Sequence, residues 1–149
     1  MLQPAAFFSR RQQSGFTLIE IIVVVVIIGI LAGVVGPKIF GNVYKAQLQR
    51  MRQDIRTIES ALKIYRLDNF SYPSNEQGGL KALVERPADP NLTNYDPEGY
   101  LDRMPKDPWN RDYLYVYPGQ RGDVDVYSLG EDGRPGGEGP NKDIGNWDL

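Results

Sequence analysis

The chain has 149 residues, no cysteine and no histidine, and 17 basic side chains against 19 acidic ones for a net charge of −2. This length fits one domain with an additional anchor or tail. The composition excludes disulfides, a cysteine-based zinc site, a thiol nucleophile and a Ser-His-Asp triad. The slightly acidic balance disfavours general nucleic-acid binding.

An apolar run over residues 16–36 contains a single charged side chain, Glu20. As a helix, this run is long enough to cross a hydrocarbon core of about 30 Å. Arg10 and Arg11 lie just before it, so the positive-inside rule places that end in the cytoplasm and the rest of the chain outside. The sequence predicts a single-pass bacterial inner-membrane protein with a periplasmic domain, and disfavours a secretory signal, whose apolar core is about 7–15 residues long.

A carboxyl group inside a membrane segment is energetically costly, so Glu20 suggests a function. No basic side chain lies three or four residues away, which excludes an ion pair along the same helix. Glu20 is then either protonated or paired with a charge from another molecule. A cut between Gly15 and Phe16 would create a terminal ammonium that a neighbouring subunit's Glu20 could meet. Such a contact between unlike surfaces builds an open filament.

The segment from Arg10 to Glu20, RRQQSGFTLIE, resembles the class III signal of type IV pilins and pseudopilins. The resemblance implies that a prepilin peptidase cuts between Gly15 and Phe16 and methylates the new terminal Phe16. It also implies that Glu20, the fifth residue of the mature chain, acts in assembly. Residues 1–15 are then the leader, 16–36 the membrane and filament-core helix, and 37–149 the periplasmic domain.

An amphipathic helix is predicted over residues 38–67, after Pro37, which should kink the helix or unwind it locally. Its apolar positions recur at steps of three and four, which favours a core face packed on a small sheet over a coiled coil. These positions are Tyr44, Leu48, Met51, Ile55, Ile58, Leu62 and Tyr65.

The charges are divided along the chain. Residues 1–66 carry nine basic and three acidic side chains, whereas residues 123–149 carry two basic and seven acidic ones. Such a division predicts that the two ends of the chain lie in different environments. It also suggests that the basic helix face meets the acidic carboxyl region of a neighbouring copy, in which case reversing Arg52 and Arg56 to Glu should weaken assembly.

Residues 68–110 are predicted to form loops with one short helix over residues 80–84. Residues 113–117 and 124–128 have the composition of strands and are predicted to form an antiparallel hairpin, with one more short strand near the end. The region 111–149 thus combines a short sheet with an acidic loop, and the fold class is α+β.

Five pieces of this region resemble the major pseudopilins of type II secretion systems, a branch of the pilin-like superfamily. The resemblance implies a long kinked amino-terminal helix packed on a small antiparallel sheet. It implies a structural subunit that polymerises in the periplasm to drive export of folded proteins through the outer membrane. Asn110 departs from the glycine common at that position. The pieces are Tyr65–Asn69, Tyr72-Pro73, Asp107–Trp109, Tyr127–Gly130 and Asp143–Trp147.

The segment from Ser128 to Trp147 contains four acidic residues and six glycines. Carboxylates without histidine or cysteine suit Ca²⁺, which takes about six to eight oxygen ligands, but the residue types alone leave a solvated acidic turn equally open. The resemblance implies one calcium ion in this loop. Its ligands would be the Leu129 carbonyl and the carboxylates of Asp132 and Asp143, with Ser128 and Asn141 as additional candidates.

The resemblance also implies the partners. These are further copies of the chain, the prepilin peptidase, an inner-membrane assembly platform and minor pseudopilins, with no nucleic acid, no small-molecule substrate and no catalytic residue. A minor pseudopilin, or a type IV pilin for adhesion or DNA uptake, is the alternative. An enzyme would have to use a carboxylate pair such as Asp123 and Asp125, which share one face of a strand.

Overall fold

The computed structural model describes residues 16–149, without the side chains of residues 34–40. Residues 1–15, which include Gly15, Arg10 and Arg11, lie outside the described part. The described elements are a long helix α1 (Leu18–Asn69), strands β1 (Leu114–Val116), β2 (Asp125–Ser128) and β3 (Ile144–Gly145), and 3₁₀ helices at Gly79–Leu83, Gly139–Asn141 and Asn146–Asp148.

The chain divides into two compact units, one ending at Gly41 and the other spanning Asn42–Leu149. The backbone of α1 remains helical through Pro37, so the local unwinding expected at that residue is not present. In the first unit, the large apolar side chains from Leu18 to Leu31 are between 48% and 79% exposed. Within the described part of the chain, no helix has both the length and the apolar character that crossing a membrane requires.

The second unit is organised around the apolar stripe of α1. Met51, Ile55, Ile58, Leu62 and Tyr65 are each 0% exposed and form the centre of the core. The core is completed by side chains of the sheet and the connecting loops, among them Leu83, Tyr113, Val124, Val126 and Ile144. The predicted core face of the helix is therefore confirmed.

The sheet has the order β1-β2-β3 and both pairings are antiparallel. Tyr115 lies opposite Val126 in the first pair, and Ser128 lies opposite Ile144 in the second. The predicted hairpin and the additional short strand are confirmed, although the strands are shorter than the sequence pattern. The buried carboxylate of Asp125 accepts hydrogen bonds from backbone N–H groups of the hairpin loop, which helps to close that loop.

Tyrosine rings connect the long loop to the helix. Tyr65 packs against Tyr95 and Tyr100 with ring centroids 6.3 and 5.2 Å away. The Leu83 carbonyl accepts hydrogen bonds from the backbone N–H groups of Tyr100 and Leu101, at 2.7 and 2.9 Å. Burial raises the pKa of Tyr65 to about 12, because the charged phenolate would be poorly solvated there.

Among the described residues, two other than glycine adopt left-handed backbone conformations. Asn110 has φ 66°, which asparagine tolerates better than most residues. Phe70 has φ 61° directly after the last residue of α1, where a left-handed residue commonly ends a helix. Its side chain is 85% exposed.

A buried carboxylate fixes the start of the acidic loop. Asp107 is 2% exposed and accepts a hydrogen bond from the Ser128 hydroxyl at 2.8 Å. It also accepts from the backbone N–H groups of Trp109 and Arg111, at 3.1 and 2.8 Å. The Arg111 guanidinium bonds both the Asp107 carboxylate and the Gly130 carbonyl. Asp107 and Arg111 thus join the 106–112 loop to the end of β2.

We expect Asp107→Asn to lower the free energy of unfolding by about 2 kcal/mol, because hydrogen bonds to a buried charged group contribute about 1.5–3 kcal/mol. Asp112→Asn is the matched control, since Asp112 pairs with Lys106 through a side chain that is 74% exposed, and exposed pairs contribute about 0–1 kcal/mol. Urea denaturation measures both values. Hydrogen exchange over residues 129–136 should accelerate only in the Asp107 variant, and equal effects of the two substitutions would contradict the anchoring role.

Candidate functional site

The amino-terminal motif contains a contact that the sequence analysis missed. Phe16 is 81% exposed and precedes the helix. The backbone N–H of Thr17 donates to Glu20 Oε2 at 3.4 Å, and the backbone N–H of Glu20 donates to Thr17 Oγ1 at 3.3 Å. This reciprocal arrangement is a capping box, and its Thr-x-x-Glu signature was present in the sequence.

The capping box gives Glu20 a partner within its own chain. The sequence analysis had considered only a protonated carboxyl group or a charge from another molecule. A carboxylate in the first turn is also stabilised by the helix dipole, whose positive end lies there. The contact therefore places an acidic group at the start of α1, close in sequence to the predicted new amino terminus at Phe16.

In the acidic loop, the structure brings two of the predicted calcium ligands to one cavity. Leu129 and Asp143 both line a cavity of about 180 Å³, which Pro135 and Trp147 also border. Oδ2 of Asp143 accepts a hydrogen bond from the backbone N–H of Gly136 at 2.9 Å. The other oxygen, Oδ1, is buried and has no hydrogen-bond partner among the described residues.

The other three candidate ligands lie elsewhere. The Ser128 hydroxyl is buried and donates to Asp107. Asp132 is exposed, and its carboxylate accepts a hydrogen bond from the backbone N–H of Arg134 at 3.1 Å. Asn141 is exposed, and none of the three lines the cavity. Across the described residues, no group of three or more acidic side chains is placed so that it could hold a metal ion.

Glycine allows the two arms of the loop to approach closely. The backbone N–H of Glu131 donates to the Pro140 carbonyl at 2.9 Å. Gly130 has φ 66°, and a Cβ atom there would lie 2.6 Å from the carbonyl carbon of Asn141. The Tyr44 hydroxyl donates to the Gly139 carbonyl at 2.9 Å, which connects the loop to α1. These contacts give the acidic loop a defined shape.

The carboxylate pair considered for a hydrolase is used in two separate contacts. Asp123 forms an ion pair with Arg66 at 2.8 Å. Asp125 is 4% exposed and is hydrogen-bonded to the backbone of Gln120 and Arg121. Each carboxylate therefore has a structural role in the hairpin region, and this geometry does not favour the hydrolase alternative.

Comparisons with known proteins show which family the chain is similar to. A family model for type II secretion system protein G matches residues 38–147, and one for the prokaryotic N-terminal methylation motif matches residues 10–36. The chain is 52% identical over 139 residues to a type II secretion system core protein G of Vibrio cholerae, covering 93% of this chain and 94% of the relative. It is 50% identical over 139 residues to the core protein G of Escherichia coli K12, covering 93% of each.

A solved structure provides an independent comparison. The crystal structure of the major pseudopilin from the type 2 secretion system of enterohaemorrhagic Escherichia coli matches with a TM-score of 0.65 and 48% identity, covering 74% of this chain and 94% of that one. The fold of the matched part of the chain is thus present in a sequence relative. The chain therefore belongs to the type II secretion system protein G family, the major pseudopilins.

Proposed function

We propose that this chain is the major structural subunit of a type II secretion pseudopilus, which polymerises in the periplasm and drives export of folded proteins through the outer membrane. The observation that carries the proposal is the order of features at the amino terminus. A Gly15–Phe16 processing signal precedes a capped helix start, and a helix with continuously exposed apolar side chains follows. The role is structural and needs no catalytic residue.

The exposed apolar half of α1 is the surface that copies of the chain would bury against one another. Large contiguous apolar surfaces mark interaction or membrane sites, and here the same surface can serve first as an inner-membrane anchor and then as filament core. A prepilin peptidase would free the amino group of Phe16, which would meet Glu20 of a neighbouring copy. An inner-membrane platform and minor pseudopilins would complete the assembly.

The processing step is tested by intact-mass and amino-terminal analysis of the chain from hosts with and without prepilin peptidase. We expect a chain that starts at Phe16 and carries one added methyl group only when the peptidase is present. A start at any other residue, or a start indifferent to the peptidase, would refute the pilin-like route.

The role of Glu20 is tested by Glu20→Gln. Glutamine can take the same place in a capping box, so the start of the helix and the processing at Phe16 should be retained. The negative charge is lost, and we expect filament yield to fall sharply because the ammonium of the neighbour has no counter-charge. Sheared filament fractions measure the yield, with Glu20→Asp as the control that keeps the charge. Filaments of normal yield from the Gln variant would show that capping is the main role of Glu20.

We also propose one calcium ion in the acidic loop. The donors present are oxygens, as Ca²⁺ prefers, and a buried oxygen without a partner, such as Asp143 Oδ1, is the kind of group that an ion satisfies. The Leu129 carbonyl and the Asp143 carboxylate would hold the ion, and Asp132, Ser128 and Asn141 remain candidates. When bound, the ion would neutralise carboxylate charge and link the two arms of the loop.

Calcium binding should raise the thermal stability of the chain. At a concentration of about 100 times Kd, a ligand specific for the folded state adds about 2.7 kcal/mol. Asp143→Asn should abolish this increase, whereas Glu138→Gln, which changes an exposed acid of the same loop, should preserve it. Thermal unfolding with calcium, with magnesium and with chelator provides the measurement. An increase that is equal for both ions or that survives Asp143→Asn would contradict the site.

A further inference from the structure

The ion pairs of α1 leave part of its basic face without partners. Three of its basic side chains pair within the chain at nitrogen–oxygen distances of 2.8 to 3.7 Å: Arg50 with Asp54, Lys63 with Glu59, and Arg66 with Asp123. Arg52 and Arg56 form no ion pair with any described residue, and Nε of Arg52 is buried without a hydrogen-bond partner. The two arginines are four residues apart and therefore neighbours on the helix surface.

A groove lies beside Arg56. It has a volume of about 330 Å³ and is bordered on the helix side by Arg56, Ser60 and Ile64 and on the loop side by Tyr100 and Leu101. Ile64 is 51% exposed although the five central side chains of the apolar stripe on the same helix are completely buried. The groove thus combines a basic rim with an exposed apolar wall, and no described segment of the chain covers it.

The acidic loop presents the opposite charge. Glu131 and Glu138 are exposed and form no ion pair among the described residues. Their positions are fixed by the loop, since the Glu131 N–H donates to Pro140 and the Glu138 carbonyl accepts from the Asn141 N–H. These carboxylates are not among the predicted calcium ligands, so they remain available for a partner.

Among the described residues, the acidic loop forms no ion pair with Arg52 or Arg56 of its own chain. The Tyr44 hydroxyl holds the carbonyl of Gly139, the residue after Glu138. Arg52 and Arg56 lie 8 and 12 residues further along α1, which at 1.5 Å per residue is about 12 and 18 Å. Glu138 therefore lies at a different height along the helix from Arg52 and Arg56, and a second copy displaced along the helix axis would bring these opposite charges together.

We propose that the acidic loop of one copy, through Glu131 and Glu138, docks on the Arg52–Arg56 face and adjoining groove of a second copy. The proposal rests on the proposed function, because it describes a contact within the polymer. The acidic loop and the arginine face are different surfaces, so each copy can use its loop on one neighbour and its arginine face on another. The contact can therefore repeat along a filament. If the helices of the two copies are parallel, the contact displaces one copy from the other by about 12–18 Å along the helix axis.

A charge-swap experiment on the full chain, co-expressed with prepilin peptidase and the assembly platform, tests the contact. We expect R52E/R56E and E131R/E138R each to lower filament yield about tenfold, because like charges across an interface repel. Combining all four substitutions should restore most of the yield. Lys81→Glu is the control, since Lys81 is exposed, lies in the 3₁₀ helix Gly79–Leu83 and forms no ion pair with a described residue. Failure of the combined variant to recover, with thermal stability intact, would overturn the docking.

Cross-linking provides a second readout that does not depend on charge. The chain has no cysteine, so Arg56→Cys and Glu138→Cys can be placed on separate copies and expressed together. We expect disulfide-linked dimers in the filament fraction from this mixture, but not when Lys81→Cys replaces Arg56→Cys. Filaments without the 56–138 cross-link would refute the docking and leave the proposed function in place. Absence of filaments from the unsubstituted chain would instead refute the proposed function.

Discussion

The second unit depends on one contact, the burial of the apolar stripe of α1 against the chain that follows it. The five central side chains of the stripe are completely buried, and burying a large apolar side chain contributes about 1.5–3 kcal/mol. The sheet has only three strands of two to four residues. Strands this short need a packing partner to be stable, so the helix is the surface on which they form.

A second constraint, hydrogen bonding between polar groups, acts where few apolar side chains are buried. The acidic loop after β2 contains few apolar residues, and polar contacts replace packing there. Asp107 accepts hydrogen bonds from the 106–112 loop and from Ser128 at the end of β2. Arg111 extends the link to Gly130. One buried carboxylate therefore determines where the acidic loop begins, and with it the position of Leu129 at the cavity.

Periodicity and motif were enough to predict much of this architecture. The stripe, the hairpin and the family all followed from local patterns, and the Thr-x-x-Glu signature of the Thr17–Glu20 capping box is equally local. The Asp107–Ser128 contact and the cavity shared by Leu129 and Asp143 were not predictable in this way. They join residues 21 and 14 positions apart, and such distant pairings depend on the whole fold. At Pro37 the expected local unwinding is absent, because the helix continues through that residue.

The capping box also separates the start of the helix from the predicted cleavage at the Gly15–Phe16 bond. The helix begins after Thr17, and its first turn is closed by groups that all lie on the carboxyl-terminal side of the Gly15–Phe16 bond. The capping contacts thus lie wholly within the segment that would remain after cleavage at that bond. The cap marks the residue after which the backbone becomes helical. Cleavage between Gly15 and Phe16 would therefore leave the contacts that begin the helix intact.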